Sequence, residues 1–327
     1  MRLKHRLAAV TLSLSSLISP FALGAYDNHE RTDEFVAEVE KEYDIPAAEV
    51  RKWLEQAERM DSVLEAIQRP AERTMNWARY QDIFLTEKRI NSGKNFLNSQ
   101  ADVLADAEAK YGVPKEIITA IIGVETFYGT RQGGYRVLDS LSTLAFDYPK
   151  RPLFWRELKA MFALAREEGV DPGKIKGSYA GAMGYGQFIP TSYLAYAVDG
   201  DGDGKRDLWG NPVDAIHSVA NYFAEHGWKT GEPVTQRVTV SGNQYEPLVN
   251  VSRKPQHTVA DLTAAGVKLS SEIAPEKPAN LMLLEGKQGD EYWLGEYNFY
   301  VITQYNHSKL YAMAVYQLSQ ALTEGDQ

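Results

Sequence analysis

The hydrophobic pattern of this chain changes its period near Gly231, and this change constrains the fold more than any other feature. From residue 34 to about residue 111, apolar side chains recur every three or four positions, which indicates successive amphipathic helices. Further helices are predicted at residues 116–128, 155–168, 213–226 and 308–322. Beyond Gly231, short apolar runs alternate with turn residues, which predicts strands, among them 238–240, 248–251 and 281–284. The predicted class is therefore α+β, mainly α, with a small antiparallel β insertion.

The N-terminal residues have the pattern of a secretory signal peptide. Three basic residues precede a mostly apolar, uncharged stretch at 7–21, and residues 22–25 offer small side chains for cleavage. The apolar stretch is too short to span a bilayer as a stable helix. We therefore expect residues 1–25 to be removed on export and the product to be soluble. An uncleaved N-terminal anchor is the alternative.

The sequence has no cysteine, and its formal net charge is −9 at pH 7. The lack of cysteine excludes a disulfide framework, a thiolate metal site and a lipid-modified N-terminal cysteine, so no lipid anchor is expected. An acidic protein without a basic run is poorly suited to nucleic acid or to an anionic membrane. A polymer that contains sugars, or a partner protein, matches this composition better.

Glu125 comes near the end of a very apolar predicted helix. Ile118, Ile121 and Glu125 lie on one helical face, because residues three and four positions apart are neighbours there. A carboxyl group that continues an isoleucine stripe is expected to be partly desolvated, which raises its pKa and favours the protonated acid. Cleavage of a glycosidic bond requires such a proton donor. The alternative is a glutamate at a frayed helix end with its carboxyl group in water.

A glycine-rich segment occupies residues 177–190. Its glycines allow the backbone to approach a ligand closely, and its aromatic rings offer flat faces to sugars. Ser178 and Gln187 add neutral hydrogen-bonding groups of the kind that polysaccharide sites use. A glycine-rich turn packed against the core is the competing interpretation.

An acidic loop begins at residue 199 and matches the first half of an EF-hand calcium loop. Carboxylates stand at positions 1, 3 and 5 and a glycine at position 6, but position 12, which normally carries a glutamate, is Gly210. The predicted ligands are Asp199, Asp201, Asp203 and Lys205. Because crowded aspartates repel one another without a cation, we expect a structural Ca2+ (calcium) ion and no organic cofactor.

Five motifs resemble, in their order and spacing, those of the membrane-bound lytic murein transglycosylase B family. They are ETFYG at 125–129, LSTLAFDYPKR at 141–151, GAMGYGQF at 181–188, DAIHSVANYF at 214–223 and NFYVITQYNH at 298–307. The resemblance covers most of the chain from about residue 80 and implies a lysozyme-like helical core. The implied division is a signal peptide at 1–25, an N-terminal helical region at 26–100, a catalytic core at 101–231 and 297–327, and a β-rich insertion at 232–296.

The reaction implied by the resemblance is a non-hydrolytic cut between N-acetylmuramic acid and N-acetylglucosamine in peptidoglycan. Glu125 would protonate the leaving oxygen and then, as the carboxylate, take the proton of the muramyl 6-hydroxyl, which leaves a 1,6-anhydro end. No second catalytic carboxylate is needed, in contrast to ordinary glycosidases. Two alternatives stay open: a muramidase that uses water on the same fold, and a calcium-stabilised scaffold that binds peptidoglycan without cleaving it.

The resemblance also implies which residues line the glycan groove and close the calcium loop. Ser178 and Asn306 would hydrogen-bond the reacting sugar, and Asp214 would complete a long calcium loop at 199–214, unless it is only a helix cap. The other implied groove residues are Tyr80, Lys150, Arg151, Gln187, Tyr222 and Tyr305. The tyrosines would stack on sugars or orient Glu125, with a packed core ring as the alternative, and the basic pair would contact stem-peptide carboxylates.

The implied setting is the periplasm, where peptidoglycan glycan strands would be the ligand. A monomer is expected, and a protein of cell-wall synthesis is a further partner that is compatible with this setting. Neither nucleic acid nor a lipid anchor is expected as part of it.

Overall fold

The structure, a computed structural model, describes residues 26–68, 75–148 and 152–323. The predicted signal peptide, residues 1–25, lies outside them. The first described helices are α1 (Thr32–Tyr43), α2 (Ala47–Glu55), α3 (Asp61–Gln68), α4 (Trp77–Phe84), α5 (Glu87–Ser99) and α6 (Ala101–Tyr111). The predicted helical pattern between residues 34 and 111 therefore corresponds to a series of short helices.

The middle of the chain is also helical, with one short two-stranded ribbon. Its elements are α7 (Lys115–Thr126), β1 (Tyr135–Arg136), α8 (Val137–Phe146), α9 (Pro152–Glu167), β2 (Lys176–Gly177), α10 (Pro190–Tyr196) and α11 (Pro212–Glu225). Strands β1 and β2 pair antiparallel, so that Tyr135 stands opposite Gly177. The ribbon brings the segment after α7 next to the start of the glycine-rich segment.

A five-stranded antiparallel sheet follows α11. Its strands are β3 (Thr235–Val240), β4 (His257–Thr258), β5 (Val267–Lys268), β6 (Pro278–Gly286) and β7 (Gly289–Gly295). A short helix, α12 (Val259–Ala264), lies between β4 and β5 in the chain. The strand order is β4-β6-β7-β3-β5, and β6 and β7 form a hairpin in which Gly286 pairs with Gly289. The chain then returns to helices in α13 (Tyr297–Tyr305) and α14 (Lys309–Thr323).

Helix α7 is the centre of the main hydrophobic core. Nine of its twelve residues are buried, and it packs against α5, α6, α11 and α14. Ile118, Ile121 and Ile122 have no exposed surface. A helix that is apolar on most sides is stable only when it is surrounded by other elements. The core therefore fixes the position of α7, and α7 fixes the position of Glu125.

Strand β6 attaches the sheet to the helices through its alternating faces. Leu281 packs in a small cluster within the sheet, whereas Met282 and Leu284 join the main helical core. Successive side chains of a strand point to opposite faces, so one strand can serve two cores. The insertion is thereby held against the helical part of the protein.

The structure confirms the mainly helical α+β class with a small antiparallel sheet, and it corrects one predicted strand. Residues 248–251 do not form a strand, because a short 3-10 turn covers Glu246–Leu248 and Asn250 has a left-handed backbone (φ 56°). Only an isolated bridge from Val249 to Leu281 remains there. None of the described helices is long and apolar enough to cross a bilayer. The predicted domain boundaries stay a prediction.

Candidate active site

Glu125 lies in the last turn of α7 and is half-buried. The isoleucines one and two turns earlier on the same face are completely buried, as the sequence pattern predicts. The helix therefore carries the carboxyl group from the core to a partly accessible position. The structure thus places this glutamate at the end of a buried isoleucine stripe, as the sequence pattern predicts.

Tyr311, which the sequence analysis did not single out, contacts Glu125. Its hydroxyl donates a hydrogen bond of 2.6 Å to Glu125 Oε1, across 186 positions of sequence. Tyr311 is only 2% exposed and belongs to α14. The available signal was a tyrosine within the apolar run of the last helix, because a buried tyrosine hydroxyl needs a partner.

Tyr305 lies beside this pair. Its ring is nearly parallel to that of Tyr311, with the centroids 6.5 Å apart, and its hydroxyl donates to Gly186 O at 2.5 Å. The pKa values of both tyrosines are raised well above their usual value, first by burial and then by the negative charge of Glu125. Both hydroxyls consequently stay protonated and act as donors at neutral pH.

A left-handed turn begins two residues after Glu125. Phe127, Tyr128 and Gly129 have φ values of 51°, 59° and 82°. Non-glycine residues in this region cost on the order of 1 kcal/mol each and occur preferentially at functional sites. At Gly129 a Cβ would lie 2.0 Å from the Tyr185 ring, so only glycine fits. The turn ends α7 two residues earlier than the predicted helix.

Thr126 ties this turn to the glycine-rich segment. Its hydroxyl donates to Tyr185 O at 2.8 Å and accepts the Gly129 N–H at 2.9 Å. Thr126 is completely buried. The end of the helix that carries Glu125 is therefore fixed to the segment in which Gln187 lies.

Gln187 is held in an unusual backbone conformation, with φ at 52°. Both of its side-chain N–H groups are used, because Nε2 donates to Gly184 O and to Gln132 O at 3.1 Å each. Its side-chain oxygen is consequently the group that it presents to a ligand. Gly186, next to it, leaves no room for a side chain, since a Cβ would lie 2.7 Å from the Tyr305 hydroxyl.

A cleft with a volume of about 500 Å³ brings several predicted groove residues together. Gln187, Tyr222, Tyr305 and Asn306 all line it. The Tyr222 hydroxyl donates to Gln304 O at 2.8 Å, and the Tyr222 ring lies edge-on to that of Tyr305 at 4.8 Å. Burial raises the pKa of Tyr222, so this hydroxyl also stays protonated.

Two further predicted groove residues, Ser178 and Tyr80, do not line this cleft. The Oγ of Ser178 accepts the N–H groups of Ala180 and Ala182 at 3.3 and 3.0 Å. Tyr80 is 2% exposed and stacks on Trp77. The basic pair Lys150 and Arg151 lies outside the described residues.

The predicted calcium loop has its first three carboxylates close together. One side-chain oxygen from each of Asp199, Asp201 and Asp203 lies within 4.8 Å of the others. Gly202 and Gly204 have left-handed backbones, and their N–H groups bond to Asp199 at 2.7 and 2.8 Å. Carboxylate oxygens are the ligands that a hard divalent cation such as Ca2+ prefers, and these three would supply part of the six to eight that it needs.

Asp214 closes the loop from its other end. It is completely buried, and its two oxygens accept the N–H groups of Gly200 at 2.8 Å and Asp207 at 2.7 Å. Burial raises its pKa, and the nearby charges of Asp201 and Asp199 add to this effect. The cap of α11 is instead Asn211, whose side chain accepts the Val213 N–H. Asp214 thus holds the loop together and does not cap its own helix.

The fold agrees with the comparisons to known proteins. A profile of the transglycosylase SLT domain family matches residues 27–320, and the chain belongs to this family. It is 42% identical, over 309 residues, to the membrane-bound lytic murein transglycosylase B of Escherichia coli K12. This alignment covers 91% of this chain and 84% of that protein. The predicted family and the predicted enzyme class, a lytic transglycosylase, are confirmed.

Two solved structures show the same fold. The catenated lytic transglycosylase SltB1 of Pseudomonas aeruginosa has a TM-score of 0.88 at 47% identity, over 91% of this chain and 98% of that chain. The Escherichia coli lytic transglycosylase SLT35, solved in complex with calcium, has a TM-score of 0.83 at 42% identity, over 91% and 94% of the two chains.

Proposed function

We propose that this enzyme cleaves the β-1,4 bond between N-acetylmuramic acid and N-acetylglucosamine in peptidoglycan and leaves a 1,6-anhydromuramyl end. Family membership supports the reaction class. The observation that carries the assignment to this site is the hydrogen bond from the Tyr311 hydroxyl to Glu125. It joins a half-buried carboxyl group to a donor that stays protonated, which is an arrangement suited to a general acid that must also exist as a carboxylate.

In the first half of the reaction, Glu125 acts as a general acid. Its proton passes to the glycosidic oxygen, and the bond from that oxygen to C1 of the muramyl residue breaks. Negative charge develops on Glu125 as the proton leaves, and the Tyr311 hydroxyl stabilises that charge through its short hydrogen bond. The product that leaves is the strand whose terminal N-acetylglucosamine now carries a free 4-hydroxyl.

In the second half, the Glu125 carboxylate acts as a general base. It accepts the proton of the muramyl 6-hydroxyl while the 6-oxygen attacks C1, so that an intramolecular C–O bond replaces the glycosidic bond. Glu125 regains its proton and no water is consumed. A single carboxyl group is enough for this cycle, unlike the pair that hydrolytic glycosidases use.

The groove residues would place the sugar for this attack. We infer that Gln187 and Asn306 bind the reacting sugar from one side of the cleft, and that Ser178 donates to it from the glycine-rich segment. Tyr222 and Tyr305 offer ring faces and edges along the same cleft. The other proposed contacts are Tyr80, Lys150 and Arg151, the last two with stem-peptide carboxylates.

A calcium ion is proposed to brace the acidic loop. Side chains of Asp199, Asp201, Asp203 and Asp214, with the backbone of Lys205, would hold it. When bound, the ion supplies charge neutralisation among crowded carboxylates. The support is the close oxygen set and the buried Asp214, together with the calcium complex of the relative SLT35.

The proposed location is the periplasm, after removal of residues 1–25. The support is the signal-peptide pattern of those residues and the family's action on murein. We propose a monomer without a lipid anchor, and a protein of cell-wall synthesis as a further partner.

Product analysis tests the proposed reaction. Purified peptidoglycan is incubated with the mature wild type, with Glu125→Gln, and with Glu116→Gln as a control in the first turn of the same helix. We expect 1,6-anhydro-muropeptides from the wild type and the control, and at least about a hundredfold less from Glu125→Gln, in line with loss of a general acid–base. Reducing ends would indicate a muramidase, and binding without any release would indicate a scaffold.

A further inference from the structure

Arg89, in the first turn of α5, is a buried cation that the proposed reaction does not use. It is only 8% exposed, and burial lowers the pKa of its guanidinium group. Removing a charge from water is costly unless hydrogen bonds or an opposite charge compensate for it. In the part of the chain that the structure describes, its side chain contacts two carbonyl oxygens and two aromatic rings rather than a carboxylate. These contacts indicate what the buried charge is there to hold.

The guanidinium group of Arg89 bridges the ends of two helices. Nη1 donates to Gly123 O, in the last turn of α7, at 2.6 Å. Nη2 donates to Ile83 O, near the end of α4, at 3.3 Å. A cation near the C-terminus of a helix also interacts favourably with the helix dipole. Because Gly123 lies two residues before Glu125, the first bond fixes the turn that carries the carboxyl group.

Two aromatic rings contact the same guanidinium group. Its Cζ lies 5.0 Å from the centroid of the Phe84 ring and 5.0 Å from that of the Phe127 ring. Contacts of a cation with a ring within about 6 Å are attractive. Phe127 is the first residue of the left-handed turn that follows Glu125. Arg89 therefore contacts both the last turn of α7 and the residue that ends this helix.

Tyr128 ties the backbone of Arg89 to the same turn. Its hydroxyl donates to Arg89 O at 3.0 Å. A Cβ would lie 2.3 Å from this hydroxyl at Gly93 of α5, and 2.6 Å from the Tyr128 ring at Gly123 of α7. Glycines at both positions therefore make room for the ring where α5 and α7 meet. The two helices are thus joined both by the Arg89 side chain and by Tyr128.

We propose that Arg89 is a positioning residue for Glu125, an inference that rests on the proposed function. Through its bond to Gly123 O, it sets the position at which the end of α7 presents the Glu125 carboxyl group to the Tyr311 hydroxyl. Arg89 acts through the helix and is not among the residues that line the cleft. Its planar fork reaches two carbonyl groups, whereas the ammonium group of a lysine is a point charge. A shift of about 1 Å in a catalytic group can cost on the order of a hundredfold in rate.

A double-mutant cycle between positions 89 and 311 tests this inference. The measured quantity is kcat for the release of muropeptides, counted with anhydro and reducing ends together, for Arg89→Met, Tyr311→Phe and the double variant. We expect Arg89→Met to lower kcat roughly tenfold with KM nearly unchanged, because the residues that line the cleft stay in place. In Tyr311→Phe the contact that Arg89 supports is already lost. Adding Arg89→Met to it should therefore lower kcat by less than about twofold more.

Lys159→Met is the matched control, and Arg89→Lys is the second test variant. Lys159 is also a buried cation, but it lies on α9 and pairs with Glu38 and Glu42 at 2.7 and 2.6 Å. Its loss should lower the Tm yet leave kcat within about twofold of the parent, with or without Tyr311→Phe. Arg89→Lys keeps the charge and decides the question if Arg89→Met does not fold. We expect its kcat to fall roughly fivefold, again without additivity.

The outcomes separate positioning from a general structural role. A kcat within about twofold of the wild type for either folded Arg89 variant would overturn the inference. Additive losses at positions 89 and 311 would also overturn it, because they indicate an effect that is independent of the contact between Glu125 and Tyr311. Losses that are not additive, beside an inert control, support it. Reducing ends on the released muropeptides would refute the proposed reaction and not the positioning role, because kcat counts both kinds of end.

Discussion

Substitution of Tyr311 by phenylalanine removes one oxygen atom from the site and leaves the ring in place. The lost hydroxyl donates to Glu125 Oε1 at 2.6 Å. Hydrogen bonds to a charged group contribute about 1.5–3 kcal/mol. In the proposed mechanism this bond strengthens as Glu125 becomes the carboxylate, so its loss raises the barrier rather than weakening substrate binding. At about 1.36 kcal/mol per factor of ten, kcat should fall roughly 10- to 150-fold.

The assay compares the rate of anhydro-muropeptide release by the wild type, Tyr311→Phe and Tyr316→Phe. Tyr316 lies on the same helix and is half-buried, so its substitution removes the same atom away from Glu125. We expect kcat to fall for Tyr311→Phe alone, with KM nearly unchanged. The Tm should stay close to that of the wild type, because the Phe ring keeps its stack on Tyr305. A kcat within about twofold of the wild type would refute the proposed role of this hydroxyl.

Three further predictions concern Gly186, the acidic loop and a buried carboxyl group. Gly186→Ala places a Cβ 2.7 Å from the Tyr305 hydroxyl and should break the hydrogen bond from that hydroxyl to the carbonyl of residue 186. We therefore expect kcat to fall roughly tenfold. An unchanged kcat would contradict this. Ca2+ at about a hundredfold excess over its Kd should stabilise the protein by about 2.7 kcal/mol, measured as a higher Tm. Asp199→Ala should abolish this response. A Tm that changes with neither Ca2+ nor EDTA would argue against the site. Burial raises the pKa of Glu296, whose Oε1 is buried and has no hydrogen-bond partner within the described residues. The folded state therefore holds this proton more tightly than the unfolded state, and stability falls as pH rises from the unfolded pKa through the folded one. Glu296→Gln should raise the free energy of unfolding at pH 7 by on the order of 1 kcal/mol, with no gain below about pH 4, in urea titrations at the two pH values; a loss of stability at pH 7 would contradict this.

Local patterns predicted the helices because helix period and burial agree along them. Ile118 and Ile121 are completely buried, as their spacing from Glu125 indicated. The pattern failed where backbone conformation decided the outcome. Asn250 breaks a run of apolar residues with a left-handed backbone, and the two-residue strands β1 and β2 are too short to carry any alternation.

The sequence predicts members of the candidate site but not the contacts between them. Glu125 could be found from a motif, but its bond to Tyr311 joins residues 186 positions apart, which no local pattern encodes. The resemblance implied that Asp214 ends the proposed calcium loop. Its bonds to the N–H groups of Gly200 and Asp207 depend on how the loop folds back on α11. Long-range packing decides such contacts, and a single sequence gives no measure of it.

Digestion of peptidoglycan in water enriched in heavy oxygen tests the central claim most directly, since it follows the atom that attacks C1. In the proposed mechanism Glu125 acts as the base and the muramyl 6-hydroxyl is the nucleophile. The new muramyl ends should then carry no label, and their mass should be lower than that of a reducing end by one water. The mass spectrum of the released muropeptides should then show unlabelled anhydro ends at the earliest time point. Heavy oxygen at C1 of the first products would contradict this mechanism and identify water as the attacking group.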